Sequence, residues 1–137
     1  MNKEELKKPI IESINLEYGW DRYNAKPPKA RPIEWALKFI DLFFEMVDEK
    51  DYKFLRAGPS VVGGIGINLL FNCEGIELGS FIEFYNDTSD ICVLLEIVGY
   101  EDEKDLDIKG YENVETKEQL KEIIFIIEKF KNTGKFN

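Results

Sequence analysis

The stretch Ile33-Glu34-Trp35-Ala36-Leu37-Lys38-Phe39-Ile40-Asp41-Leu42-Phe43-Phe44-Glu45-Met46-Val47 decides the fold class. On a helical wheel of about 100° per residue, Glu34, Lys38, Asp41, Glu45 and Asp48 collect in one polar stripe roughly 80° wide. The remaining positions are apolar. Ile33, Leu37, Ile40, Phe44 and Val47 form one ridge, with Ala36 and Phe43 beside it, and Trp35, Phe39, Leu42 and Met46 form a second. A helix lying on one sheet needs an apolar arc of about 100° or somewhat more; this one shows roughly 220°. It must therefore touch two layers: a sheet on one side, and another helix or a second copy of the chain on the other. Pro32 suits the first helical position, where a missing N–H costs nothing. Pro27 and Pro28 disfavour an earlier start.

Downstream the period changes from 3.6 to two. Ser60 to Val62 reads as a short strand or a strand lead-in. Ile65, Ile67, Leu69 and Phe71 alternate with Gly66, Asn68, Leu70 and Asn72, which is a strand with one strongly apolar face. Cys73-Glu74-Gly75 turns the chain, and Leu78, Ser80, Ile82 and Phe84 alternate in a second strand. Asn86 to Asp90 is a polar turn of hairpin length. Ile91 to Val98 is a third strand, apolar on both faces except at Glu96, and so a central or well-covered one. Residues 52–59 read as a connector, and 101–115 as an acidic loop. Thr116, with Gln119 in the partner position of a capping box, opens a last amphipathic helix on Leu120, Ile123, Ile124, Ile127 and Phe130. Phe125 and Ile126 widen its apolar arc, and Gly134 stops it. Upstream, Leu6, Ile10, Ile11 and Ile14 recur at helical spacing; Pro9 either starts the helix or kinks a longer one, and the favoured reading is a helix from about Pro9 to Leu16 with a frayed lead-in. The expected architecture is α+β: an antiparallel meander of three to four strands packed against a central and a C-terminal helix, with an N-terminal helix on the central one. Residues 1–137 form a single domain, frayed at 1–8 and 133–137. The N-terminal segment and the Trp20 loop are the expected cover for the Trp35 ridge.

Composition narrows the chemistry. The chain has 27 acidic and 18 basic residues, a net charge of -9 and no histidine. Acidity argues against nucleic acid or an anionic membrane as partner and allows a basic protein. Without histidine there is no Ser-His-Asp or Cys-His machinery and no His-containing metal site. The cysteines, Cys73 and Cys92, lack CxxC pairing and read as free structural thiols in a reducing cytoplasm. No cofactor motif is present. Gly63-Gly64-Ile65-Gly66 precedes a strand rather than a helix, so it reads as a turn or bulge and not a phosphate cradle. Glu101, Asp102, Glu103, Asp105 and Asp107 do not have EF-hand spacing and read as a solvated loop.

Three groups of residues remain as candidates. Glu83 and Glu96 fall on adjacent strands, either as a carboxylate pair for acid–base work or as residues of a wet outer face. Trp35, Phe39, Leu42 and Met46 form a possible homodimer interface. The third is the connector Gly19-Trp20-Asp21-Arg22-Tyr23-Asn24-Ala25-Lys26-Pro27-Pro28, in which Trp20, Asp21 and Tyr23 either line a pocket or hold the loop down. This connector resembles the loop of an uncharacterised family of small acidic bacterial proteins with a G-W-D-G-x-G-A-x-P motif, matched at Gly19, Trp20, Asp21, Ala25 and Pro27. Arg22 and Asn24 stand where glycine is frequent in that family. The resemblance implies a fold, with an apolar helix followed by a glycine-containing sheet, and no activity. Two functions follow as expectations. One is a non-enzymatic protein-binding domain, in the manner of immunity proteins or antitoxins. The alternative is a small-ligand-binding domain or a histidine-free enzyme using carboxylates.

Overall fold

The apolar helix forms as the wheel requires, and its two ridges set the layers around it. The computed structural model describes residues 2–21, 25–99 and 103–136. Three helices, α1 (Lys3–Glu12), α2 (Ala30–Met46) and α3 (Lys117–Thr133), pack against an antiparallel sheet of β1 (Tyr52–Pro59), β2 (Ile65–Cys73), β3 (Ile76–Phe84), β4 (Ile91–Ile97) and β5 (Leu106–Tyr111). The strand order is β1-β2-β3-β4-β5, a pure meander. Its inner rows, such as Ala57-Ile67-Ile82-Val93 and Phe54-Leu69-Ser80-Leu95, join Phe39, Ile40 and Phe43 of α2 and Ile123, Ile124 and Ile127 of α3 in one buried cluster.

The sheet has five strands, two more than the three read outright. Both additions flank the expected meander, and each was hidden by a broken pattern. In β1 the register shifts between Phe54 and Arg56, so the inward residues run Tyr52, Phe54, Ala57, Pro59 and the period of two is lost. In β5 the polarity is inverted. Leu106 and Ile108 face solvent while Asp107 and Lys109 take the helix side, paired to each other at 3.2 Å.

The ridges of α2 are covered in the opposite sense to that expected. Phe44 stacks on Phe54 of β1 at 5.6 Å. Trp35 lies in a narrow cleft with Phe84, Ile91 and Val114, and Met46 lies in a groove with Phe125 and Ile126. The β4–α3 side therefore covers the Trp35 ridge, and α1 lies on the other flank. There Lys3 and Lys7 reach Asp41 at 3.2 and 2.5 Å. Partial burial works against ionisation of Asp41, but the two ammonium groups together outweigh it and hold the carboxyl below its usual range.

Helix boundaries also differ from the sequence reading. α1 begins at Lys3, because Asn2 caps it by accepting the Glu5 N–H at 2.8 Å, and Pro9 lies within it. Pro32 stands at the third helical position, still within the first turn, where the N–H that proline lacks would have had no partner in the ladder. At the C-terminal end Phe136 stacks on Phe130 at 5.1 Å, which ties down a segment expected to fray. The Thr116–Gln119 capping box and the left-handed Gly134 stop are both present.

Candidate functional site

α2 and α3 lie on one side of the sheet and α1 lies along β1, where Pro9 comes 3.7 Å from the place of a Gly58 Cβ; no described helix lies over the other side of β3, β4 and β5. The cross-strand register orders that outer face into rows. The central row runs Asn68, Phe81, Leu94, Ile108. One step along the strands lies Gly66, Glu83, Cys92, Gly110; one step the other way lies Leu70, Gly79, Glu96, Leu106. An apolar stripe therefore crosses the middle of the face, and Glu83 and Glu96 bracket it. Ile108 is 68% exposed and Leu106 43%. Phe81 lies flat across Gly66, where a Cβ would meet its ring at 2.8 Å. Gly66 thus supplies a shelf for an aromatic ring, not a phosphate loop.

At one end of the face a polar group gathers. Ser60 Oγ donates to Glu83 Oε1 at 2.7 Å. Burial, then the adjoining Cys92 thiol and the Glu83 carboxylate, push the Tyr85 phenol up to about 12, so it stays protonated beside Cys92. The hairpin that carries Ser60 depends on Gly64. Its φ is +91°, and a Cβ there would fall 1.9 Å from the Phe84 carbonyl oxygen.

Glu83 and Glu96 are not a catalytic pair. They stand on β3 and β4 in rows four residues apart, about 13 Å along the strand direction. Both belong to the outer face, as one of the two sequence readings had it. Trp20 donates its indole N–H to the Lys26 carbonyl at 3.3 Å, and Asp21 accepts the Ala25 N–H at 3.3 Å. With the Gly19 N–H on the Ala25 carbonyl, these bonds close the loop on itself. Tyr23 lies outside the described residues, as do Arg22 and Asn24.

The α2 ridge Trp35, Phe39, Leu42, Met46 is not a continuous surface. Phe39 is 0% and Leu42 7% exposed, both consumed by the core. Trp35 is half-buried, with Lys38 Nζ 4.7 Å from its ring centroid. Met46 is exposed and shares a shallow groove of about 570 Å³ with Tyr111, Lys121, Glu122 and Phe125. Among the described residues, no three Cys, Asp or Glu side chains converge to hold a metal. None of the described helices is long and apolar enough to cross a membrane.

Sequence reasoning missed Phe81, Leu94 and Ile108. The signal was present in β4, where apolar residues occupy both faces. It was read as evidence of a central or well-covered strand; the structure gives β4 a neighbour on each edge, and that interior place goes with an outer face that no described helix covers. Comparison of the chain with protein-family models, with curated proteins and with solved structures returns no match.

Proposed function

We propose that the protein is a non-enzymatic, cytoplasmic protein-binding domain, acting in the manner of an immunity protein or antitoxin, and that the outer face of the sheet is its docking surface. One observation carries this reading: Phe81, Leu94 and Ile108 form an apolar row on a part of the sheet face with no described helix over it, flanked by Glu83 and Glu96. Antiparallel sheets tolerate a wet face, but such faces are normally polar. An apolar centre with a charged rim is the anatomy of an interface. The face measures about 24 by 20 Å from strand spacing and rise. That is somewhat under the roughly 800 Å² per partner of a standard interface, and the exposed hairpin tip Val61-Val62 extends it. The partner that fits presents an apolar ridge with lysine or arginine on either side, consistent with the chain's net charge of -9.

Affinity capture from native cytosol with three baits tests this: the natural chain, Leu94→Gln and Glu96→Lys. A basic protein retained by the first and lost from both variants supports the reading. The same retained proteins on all three folded baits, or none on any, overturns it. The alternative of a carboxylate enzyme lacks its pair, since Glu83 and Glu96 do not converge.

A further inference from the structure

The free edge of the sheet points to a second partner surface, distinct from the outer face. The two edge strands are treated differently. β1 carries a register shift, ends at Pro59, and has Pro9 of α1 3.7 Å from where a Gly58 Cβ would stand. These are the usual devices that keep an edge from pairing. β5 has no proline and no register shift; what it carries is a pair of inward-pointing charges, Asp107 and Lys109, which deter a strand of the wrong charge pattern. It runs in unbroken register with β4 from Leu106 to Tyr111, without proline or bulge. No described residue pairs with its outer side.

The hydrogen-bond phase of that edge follows from the sheet. The Tyr85 N–H bonds the Asp90 carbonyl and the Val98 N–H bonds the Glu77 carbonyl. Cys92, Leu94 and Glu96 therefore use their backbone groups on β3, and Ile91, Val93 and Leu95 use theirs on β5. Their partners are Tyr111, Lys109 and Asp107. The N–H and C=O groups of Leu106, Ile108 and Gly110 are left pointing outward.

We propose that β5 pairs antiparallel with β5 of a second copy of this chain, with Ile108 on the two-fold axis. The charges select the occupant and the register. Centred on Ile108, Asp107 of each copy faces Lys109 of the other, so the strand is complementary to itself. Centred on Asp107 or on Lys109, like charges meet face to face, which a sheet disfavours. The chosen register satisfies the outward groups of Leu106, Ile108 and Gly110 with up to about six backbone hydrogen bonds. It also joins Phe81-Leu94-Ile108 to the same row of the second copy, on one continuous ten-stranded sheet. The contact is isologous, as a two-fold requires. Its area is small, so the dissociation constant falls on the order of 10 µM.

Sedimentation equilibrium of the full chain at physiological salt tests the proposal, with far-UV circular dichroism to confirm folding. The 16.0 kDa chain is expected to dimerise reversibly. Ile108→Pro removes an N–H that only the dimer uses, and is expected to leave a monomer. Asp107→Lys and Lys109→Asp should each weaken the dimer about tenfold, and the double variant Asp107→Lys/Lys109→Asp should restore it. Should the proline variant not fold, the charge series decides alone. A natural chain that stays monomeric to about 1 mM, or a dimer indifferent to the single reversals, or a double reversal that restores nothing, overturns the proposal.

Discussion

Replacing Asn86 should loosen the whole fold, although Asn86 lies in a hairpin loop. Its side chain is buried and bonds two backbone groups from a distant part of the chain. Oδ1 accepts the Lys29 N–H at 2.8 Å, and Nδ2 donates to the Pro27 carbonyl at 3.0 Å. Lys29 is the residue that precedes α2, and its own side chain makes no cap bond. Asn86 thus fixes the entry of the central helix from the far end of β3. Asn86→Ala deletes both bonds. At about 1–1.5 kcal/mol for each, and with the freed groups only partly reached by water, the loss is about 2–3 kcal/mol. A chain of this length unfolds with an entropy of about 0.29 kcal/mol/K, so Tm should fall by about 7–10 °C. Asn86→Asp is the sharper test. It keeps the acceptor for Lys29 and turns the donor into an oxygen facing the Pro27 carbonyl. The folded state then favours the protonated acid, which raises its pKa above the unfolded value. The variant's deficit should therefore be small below pH 4 and grow as pH rises through the folded-state pKa. Urea melts of the three proteins between pH 3.5 and 7 measure this. An Ala variant within about 0.5 kcal/mol of the natural chain, the range of an ordinary surface change, or an Asp variant with a pH-independent deficit, would refute the clamp.

Other consequences are equally direct. Ser80 is buried on the inner face of β3 and its hydroxyl has no hydrogen-bond partner; Ser80→Ala should raise stability by about 1 kcal/mol in chemical denaturation, and a loss would mean the hydroxyl is satisfied. Gly64→Ala forces a Cβ onto the Phe84 carbonyl at positive φ and should cost about 3 kcal/mol or more by the same assay, whereas a mild effect would mean the hairpin can shift. Tyr52 donates its buried hydroxyl to Glu128 Oε1 at 2.7 Å, and burial, then Glu128, push its pKa well above the usual value. That contribution is complete below about pH 10, where the unfolded phenol is still protonated, and is lost as pH rises further. Tyr52→Phe should lie about 1–2 kcal/mol below the natural chain at pH 7 and converge with it above pH 10; parallel curves would count against the bond.

Much of the fold was legible because burial imposes a period. The 220° arc of α2 announced two layers, and two layers are what it touches. The alternation in β2 and β3 gave strand and face together, and the Thr116–Gln119 box and Gly134 marked the limits of α3 through purely local chemistry. Where local signals failed, the cause was also physical. A one-residue register shift erased the period of β1. β5 turned its charges inward and its aliphatic residues outward, so its pattern read as an acidic loop. Wheel geometry alone does not say which neighbour covers which ridge, so the Trp35 ridge was assigned to the N-terminal segment and the Trp20 loop, with an interface through Phe39 and Leu42 as the alternative, whereas both are core.

The candidate site lay still further from view. Each of Phe81, Leu94 and Ile108 looks unremarkable on its own strand, and the row they make exists only through pairing register across three strands. Glu83 and Glu96 were identified as outer-face candidates, but their separation, which removes a catalytic pair and leaves a bracketed apolar stripe, is a property of that register too. The sequence by itself determined the α+β class, the order of its main elements and the absence of histidine chemistry, because periodicity, caps and composition are local quantities. Tertiary structure alone decided that β1 and β5 complete the sheet, that among the described residues one face and one edge stay open, and that Asn86 holds the start of α2, because these depend on contacts between segments far apart in the chain.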